Sequence, residues 1–228
     1  QIYCHDEHAP FATDATKFAL FSRAVAEGAV AGTFGSIDIL HMNDWHTGLI
    51  LGLREADARY APLHRLRTVF TIHNLALQGR RPLHHTESSW AAWFPDLAVP
   101  NVVRDPEDPA LGNPMAAGVR AADAVHVVSP SYAEEITRPS SVRVGGFYGG
   151  EGLDAELRQA NAEGRMFGIL NGLDYHVELA DALTWPDLVQ TLRDEVGSML
   201  TRGTGLSSAH YLADERLRAL PSARPHHL

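Results

Sequence analysis

Residues 38–79 form the stretch that most narrowly limits how this chain can fold. Two short apolar runs, at residues 37–42 and 68–72, flank residues 45–60, whose apolar side chains recur at helical spacing. Short continuous apolar runs are typical of strands buried on both faces of a parallel sheet. The order strand, helix, strand predicts a βαβ unit with a right-handed crossover. We therefore expect an α/β fold.

The rest of the chain continues this alternation of helices and strands. Thr13 or Asp14 can cap a first helix, and Gly28 is placed to end it. Ser131 and Glu134 have the spacing of a capping box, which predicts a helix after Ser129. The apolar pattern predicts further strands at residues 124–128 and 167–170, and further helices at residues 113–121, 153–162, 185–199 and 207–220.

Two stretches break the periodic pattern. Residues 79–110 contain five prolines and one short helical pattern, near residues 88–94. A long irregular segment inside a compact domain is usually functional or an insertion, and the sequence leaves both interpretations open. Residues 140–152 are rich in Gly and Ser and predict a mobile loop.

The predicted elements divide the chain into two parts. We predict that residues 1–180 form a Rossmann-like domain, with a parallel sheet flanked by helices. Residues 181–228 contain two amphipathic helices and a polar tail, and we predict that they form a helical linker. The chain has 228 residues and begins at Gln1 rather than Met, so we expect it to be part of a longer protein.

Composition narrows the set of partners. The net charge of -9 argues against nucleic acid, because binding phosphates requires a basic surface. No apolar run approaches the roughly 18 residues of a membrane span, so we expect no membrane partner. Cys4 is the single cysteine and cannot form a disulfide within the chain. A reducing compartment is the simplest interpretation, and we expect a cytoplasmic location.

Polar residues follow each strand of the predicted sheet. The strands end at Asp44, His73, Ser129 and Asn171. In open α/β sheets the binding crevice lies outside the carboxyl ends of the strands. Because all four residues belong to the same edge of the sheet, the sequence predicts a ligand site there.

Alternative roles remain open for individual residues at this edge. Asp44 and His73 suit acid–base chemistry or substrate orientation, but Asp44 is equally suited to cap the next helix. Trp45 suits a sugar platform or the core. His41, Asp44 and His46 together would offer imidazole and carboxylate ligands to a metal, although their spacing matches no metal-binding signature.

Several motifs resemble those of one family. Residues 41–48, HMNDWHTG, resemble the H-x-H-D-W-H segment of bacterial glycogen and starch synthases. Residues 68–79, TVFTIHNLALQG, are similar to the V-F-T-x-H-N-L-A-Y-Q-G of that family. Residues 121–137, 151–174 and 11–18 resemble further family motifs in the same order, so the match extends over about residues 11–175.

The resemblance implies a retaining glucosyltransferase built from two Rossmann domains. Such an enzyme transfers glucose from ADP-glucose, or UDP-glucose, to the non-reducing end of an α-1,4-glucan, without a metal or other cofactor. This chain would supply the amino-terminal domain, and residues 181–228 would lead toward a missing carboxy-terminal domain. No oligomeric state is implied.

The resemblance also assigns roles to single residues. Asp44 and His73 would be catalytic, with Asp44 beside the reacting sugar and His73 orienting the donor glucose. Substrate contacts would come from Trp45, His46, Asn74, Gln78 and Asn171. These types of side chain suit an oxocarbenium-like transition state, which requires a nearby carboxylate and well-placed hydrogen bonds.

The chain also departs from the family pattern. Leu77 stands where the family has Tyr, and the K-x-G-G-L loop that approaches the donor phosphates is absent from this sequence. The Arg/Lys pair of the second domain, which would neutralise the departing phosphate, is absent as well. We therefore expect the chain alone to be inactive. The alternative hypotheses are a glucan-binding module without catalysis and, less in keeping with the motifs, a metal hydrolase.

Overall fold

The computed structural model describes residues 10–141, 149–172, 184–202 and 208–221. The α-helices are α1 (Pro10–Val30), α2 (Trp45–Ala56), α3 (Trp90–Trp93), α4 (Pro114–Ala121), α5 (Pro130–Glu135), α6 (Asp154–Ala162), α7 (Trp185–Arg202) and α8 (Ser208–Arg218). The strands are β1 (Ile39–Asn43), β2 (Arg67–Ile72), β3 (Arg81–Pro82), β4 (Leu111–Gly112), β5 (Ala124–Val127) and β6 (Met166–Gly168). Two 3-10 helices span Ala58–Arg65 and Asn101–Val103.

A four-stranded parallel sheet organises the first part of the chain. Its strand order is β1-β2-β5-β6, so each strand is parallel to its neighbour. The register pairs Asn43 with Thr71, which places the carboxyl ends of β1 and β2 side by side. This arrangement confirms the predicted α/β fold, with a parallel sheet flanked by helices.

The two faces of the sheet differ in burial. Phe70 and Val125 are fully buried, and Gly118 of α4 packs so closely on the Phe70 ring that a Cβ there would lie 2.3 Å from it. On the opposite face Ile39 and Phe167 are 59% and 49% exposed. The core therefore lies between the sheet and the layer that contains α2 and α4.

Three helix ends differ from the predictions. Gly28 does not end α1, which continues to Val30; instead it makes room for the Phe34 ring, which would lie 2.7 Å from a Cβ at this position. The helix predicted at residues 45–60 ends at Ala56, because the Asp57 side chain accepts from the Arg59 N–H and starts a 3-10 helix. The third difference is at the start of α5, where the predicted capping box of Ser131 and Glu134 is wrong.

Ser129, rather than Ser131, caps α5. Its hydroxyl accepts a hydrogen bond from the N–H of Tyr132 at 3.0 Å. Pro130 explains why the helix begins directly after Ser129. Proline suits the first helical position, because it needs no N–H partner there and its φ matches that of a helix.

The proline-rich residues 79–110 fold as part of the core. Strand β3 pairs with β4 in a small antiparallel sheet. Trp90 and Phe94 are 2% and 1% exposed, and their rings pack edge to face at 4.8 Å. Ser89 caps the short helix α3 by accepting from the N–H of Ala92. The backbone of this segment is thus largely irregular, whereas its large aromatic side chains Trp90 and Phe94 are buried in the core.

The chain divides into two compact units, residues 1–172 and 173–228. In the second unit α7 packs against α8, and Arg193 donates to the carbonyl of Leu217 at 2.9 Å. Both helices were predicted; their role as a linker stays a prediction. The predicted mobile loop falls largely on residues 142–148, outside the described residues. None of the described helices is both long and apolar enough to span a membrane.

Tyr60 provides a test of the packing between α1 and the first 3-10 helix. Its hydroxyl donates to the Glu27 carboxylate at 2.7 Å, and burial together with this bond raises the pKa of Tyr60 to about 12. We expect Tyr60→Phe to lower the free energy of unfolding by about 1 kcal/mol at neutral pH. Tyr211→Phe is the control, because Tyr211 is 60% exposed.

The dependence on pH follows from the direction of the shift. The folded state holds the Tyr60 proton more tightly than the unfolded chain, so the stabilisation is complete below about pH 10 and is lost as the pH rises through about 12. Urea unfolding of the wild type and both variants between pH 7 and 11 measures the loss of unfolding free energy that each substitution causes. An equal loss in Tyr60→Phe and Tyr211→Phe would contradict the assignment.

Candidate functional site

Asp44 lies at the carboxyl end of β1 in a backbone conformation that is rare for residues other than glycine. Its φ is 52° and its ψ is -174°. Such a conformation costs about 1–3 kcal/mol and persists only where the surroundings enforce it. The Asp44 side chain makes no capping bond to α2, so the alternative role as a helix cap is wrong.

The Asp44 carboxylate instead crosses to the end of the neighbouring strand. Its Oδ1 accepts from the backbone N–H of His73 at 2.8 Å and from that of Asn74 at 3.3 Å. The parallel register of β1 and β2 makes this bridge possible, because both strands end at the same level. Two residues predicted from separate strand ends, Asp44 and His73, are therefore in direct contact.

Asn43 holds the ring of His73. The Oδ1 of Asn43 lies 3.0 Å from the Nε2 of His73. Thr47 in turn fixes the backbone of Asn43, since its hydroxyl accepts from the Asn43 N–H at 2.8 Å and lies 2.9 Å from the Asn43 carbonyl oxygen, to which it donates. Sequence reasoning missed Asn43. The available signal was its position, where the H-x-H-D-W-H pattern has its second histidine.

Trp45 and His46 begin α2 and pack beside the ring of Phe18. Trp45 is 4% exposed, and its ring stacks on that of His46 with a centroid distance of 4.3 Å. The Phe18 ring contacts both edge to face. Burial lowers the pKa of His46, against the opposing charges of Asp44 and Asp14, so this imidazole is neutral at pH 7.

Of the two interpretations of Trp45, the geometry supports a place in the core. A Cβ at Gly79 would lie 2.3 Å from the Trp45 ring, so glycine is required for this close approach. The roles of Trp45 and His46 as substrate contacts stay predictions.

Asn74 and Gln78 follow β2 but have different surroundings. Asn74 is exposed and its Oδ1 accepts from the N–H of Ala76 at 3.1 Å, which shapes the turn after the strand. Gln78 is 5% exposed. Its Oε1 accepts from Asn113 at 2.7 Å, and its Nε2 donates to the carbonyl of Glu151 at 2.8 Å.

Gln78 thus belongs to a buried polar network. Arg80 joins it by donating to the Gln78 Oε1 at 3.0 Å and pairing with the buried Asp105 at 3.0 Å. Gln78 and Arg80 both hold the Glu151 carbonyl, and Glu151 has a φ of 50°. The network borders an open cavity of about 440 Å³.

Ser129 after β5 and Asn171 after β6 make no hydrogen bond to Asp44 or His73 among the described residues. Ser129 is used as the cap of α5, and this positions Tyr132, whose hydroxyl accepts from the N–H of Leu75 at 3.3 Å. Burial raises the pKa of the Tyr132 hydroxyl. Asn171 is exposed three residues beyond β6, and among the described residues it makes no hydrogen bond to the Asp44–His73 bridge. Its role as a substrate contact stays a prediction.

The three proposed metal ligands do not converge. The Nε2 of His41 lies 2.7 Å from the hydroxyl of Thr71 on the sheet face, and that hydroxyl lies 3.0 Å from the Nδ1 of His126. Asp44 faces the end of β2, and His46 stacks on Trp45. In the described part of the chain no three His, Cys, Asp or Glu side chains are grouped to hold a metal ion.

The fold and this edge define an α/β domain of the Rossmann-like class, in which the Asp44 carboxylate binds the main chain of His73 across neighbouring strand ends, where such sheets bind ligands. Comparison with known proteins narrows the class. Residues 1–159 match the family model described as the starch synthase catalytic domain. The chain belongs to this family, which confirms the resemblance found in the sequence.

Individual relatives agree with this family. A glycogen synthase of Deinococcus radiodurans is 36% identical over 216 residues, which cover 89% of this chain and 43% of the relative. A glycogen synthase of Gloeobacter violaceus is 40% identical over 166 residues, covering 72% of this chain and 29% of the relative. The chain therefore spans less than half the length of these relatives.

A solved structure is similar over most of the chain. It is the catalytic domain of starch synthase IV from Arabidopsis thaliana bound to ADP and acarbose. The TM-score is 0.56 at 27% sequence identity, over 86% of this chain and 38% of that chain. The likeness confirms the fold class predicted from the sequence.

Proposed function

We propose that the protein containing this chain transfers glucose from ADP-glucose to the non-reducing end of an α-1,4-glucan, with retention of configuration. The bridge from the Asp44 carboxylate to the main chain of His73 carries the proposal, because it fixes a carboxylate next to a histidine at the ligand-binding edge of the sheet. Family membership supports it, as does the ADP and acarbose bound to the starch synthase IV domain. A cytoplasmic location belongs to the same proposal.

The Asp44 carboxylate has the chemistry that glucosyl transfer requires. The transition state develops positive charge on the sugar ring, and a nearby carboxylate stabilises that charge. A single oxygen of Asp44 accepts both backbone hydrogen bonds, and in the part of the chain that the structure describes the other oxygen has no hydrogen-bond partner and can contact a sugar. The strained backbone and the two N–H donors hold the group in place before substrate binds, which lowers the cost of reorganisation.

This chain supplies one side of the proposed site. The departing nucleotide diphosphate carries negative charge that must be neutralised, and the resemblance assigns this task to a second domain. We propose that residues 181–228 lead toward that domain and that the 228-residue chain alone transfers glucose poorly. Asn74 and Asn171 are proposed to contact substrate from the ends of β2 and β6.

A chimera tests the proposal. The matching segment of the Deinococcus radiodurans glycogen synthase is replaced by this chain, and transfer of radiolabelled glucose to maltoheptaose is measured with ADP-glucose and with UDP-glucose. Circular dichroism and a cooperative thermal transition confirm that the chimera is folded. We expect transfer from ADP-glucose by the chimera and little or none by the isolated chain.

Each outcome has a defined meaning. A folded chimera that binds maltoheptaose without transferring glucose would refute the proposal in favour of a glucan-binding module. Faster transfer from UDP-glucose than from ADP-glucose would overturn the assigned donor. Robust transfer by the isolated chain would contradict the need for a second domain.

A further inference from the structure

The hydrogen bond between Asn43 and His73 determines which ring nitrogen of His73 carries the proton. The Oδ1 of Asn43 lies 3.0 Å from Nε2, and an amide oxygen can only accept. Nε2 is therefore the donor. A neutral imidazole carries one proton, so the other nitrogen, Nδ1, is an acceptor. Within the part of the chain that the structure describes, Nδ1 has no hydrogen-bond partner.

Further hydrogen bonds fix the main chain of both partners, Asn43 and His73. The Thr47 hydroxyl bonds to the N–H and to the carbonyl of Asn43, which fixes the backbone from which the amide extends. The neighbouring Asp44 binds the backbone N–H of His73. Two consecutive residues at the end of β1 thus hold two separate parts of His73, Asn43 its ring and Asp44 its main chain.

We propose that Asn43 is a positioning residue that orients the His73 ring and keeps it in the Nε2–H tautomer, so that Nδ1 accepts a hydrogen bond from a hydroxyl of the bound sugar. The last clause rests on the proposed glucosyl transfer, whereas the orientation of the ring does not. Groups that fix the tautomer of a metal-binding histidine commonly affect activity about 10- to 100-fold, and we expect an effect at the lower end of that range here.

Nuclear magnetic resonance of the 228-residue chain tests the orientation without any assay of activity. Long-range proton–nitrogen spectra near pH 8.5, where an ordinary imidazole is neutral, report both ring nitrogens, and His73→Gln assigns the signals. We expect a single Nε2–H tautomer in the wild type and in Asn43→Asp, which retains the accepting oxygen. In Asn43→Ala the shifts should move toward those of an unrestrained imidazole.

The control is Asn161→Ala, which removes an exposed amide from α6 and should leave the His73 signals unchanged. An Nδ1–H tautomer in the wild type would overturn the proposal. Identical ring signals in the wild type and Asn43→Ala would overturn it as well.

Kinetics of the chimera test the consequence for sugar binding. We expect Asn43→Ala to lower kcat/KM about 10-fold. Asn43→His, the residue of the H-x-H-D-W-H pattern, supplies a ring nitrogen as acceptor and should restore activity to within about threefold. Wild-type kinetics in Asn43→Ala would refute the role in sugar binding. Should the unsubstituted chimera be inactive, the proposed function fails while the spectra still decide the role of Asn43.

Discussion

Substitution of Asp44 is expected to reduce glucosyl transfer by the chimera about 10²- to 10³-fold, the largest loss at any single position of the site. Asp44→Asn and Asp44→Ala should share this loss for different reasons. The Asn side chain retains an oxygen that accepts from the N–H groups of His73 and Asn74, but it lacks the charge. The Ala side chain lacks both.

Steady-state rates and backbone amide spectra separate the two effects. Asp44→Asn should keep the amide signals of His73 and Asn74 near their wild-type positions, whereas Asp44→Ala should shift both. Asp38→Ala removes an exposed carboxylate just before β1, at the opposite end of the strand, and serves as the matched control. Wild-type turnover in Asp44→Asn would show that the charge has no part in the reaction.

The substitution Gly48→Ala is expected to cause the largest loss of stability. A Cβ at Gly48 of α2 would lie 1.9 Å from the carbonyl oxygen of Pro114 and 2.7 Å from its carbonyl carbon. These are backbone atoms at the start of α4 and cannot move aside as a flexible side chain would. Forcing the two helices apart should cost about 3 kcal/mol or more, or prevent folding.

Urea unfolding followed by circular dichroism measures the effect. Gly197→Ala is the control, because Gly197 lies within α7 and a Cβ there would meet nothing within 4 Å. In that open position alanine should favour the helix by about 0.5–1 kcal/mol. An unchanged unfolding midpoint in Gly48→Ala would contradict the close packing of α2 on α4.

The sequence was sufficient for the features that depend on local pattern. The apolar runs predict β1 and β2, although the face of the sheet that carries Ile39 is exposed, and the parallel alignment of the two strands predicts that Asp44 lies near His73. The strand ends carry this information because the direction of a parallel sheet is fixed by its connections.

Features that depend on distant contacts were not predictable in this way. Gln78 bonds to residues 35 and 73 positions away, so no local pattern shows that its amide is used inside the protein. The sequence pattern predicts a helix end at Gly28, whereas the lack of a side chain there makes room for the Phe34 ring. No hydrophobic or turn pattern marks Asn43, because its partner, His73, follows another strand.

The short distance along the chain between the two halves of the bridge has a consequence for folding kinetics. Asp44 and His73 are 29 residues apart, and closing a loop of that length costs only about 3 kcal/mol in chain entropy. When β1 pairs with β2, the loop through α2 closes and Asp44 reaches the main chain of His73 at the same time, so the entropy cost of closing the loop is met only once. The bridge between Asp44 and His73 should therefore form together with the first βαβ unit. Hydrogen exchange of the His73 amide should slow as soon as that unit is assembled, before β6 joins the sheet.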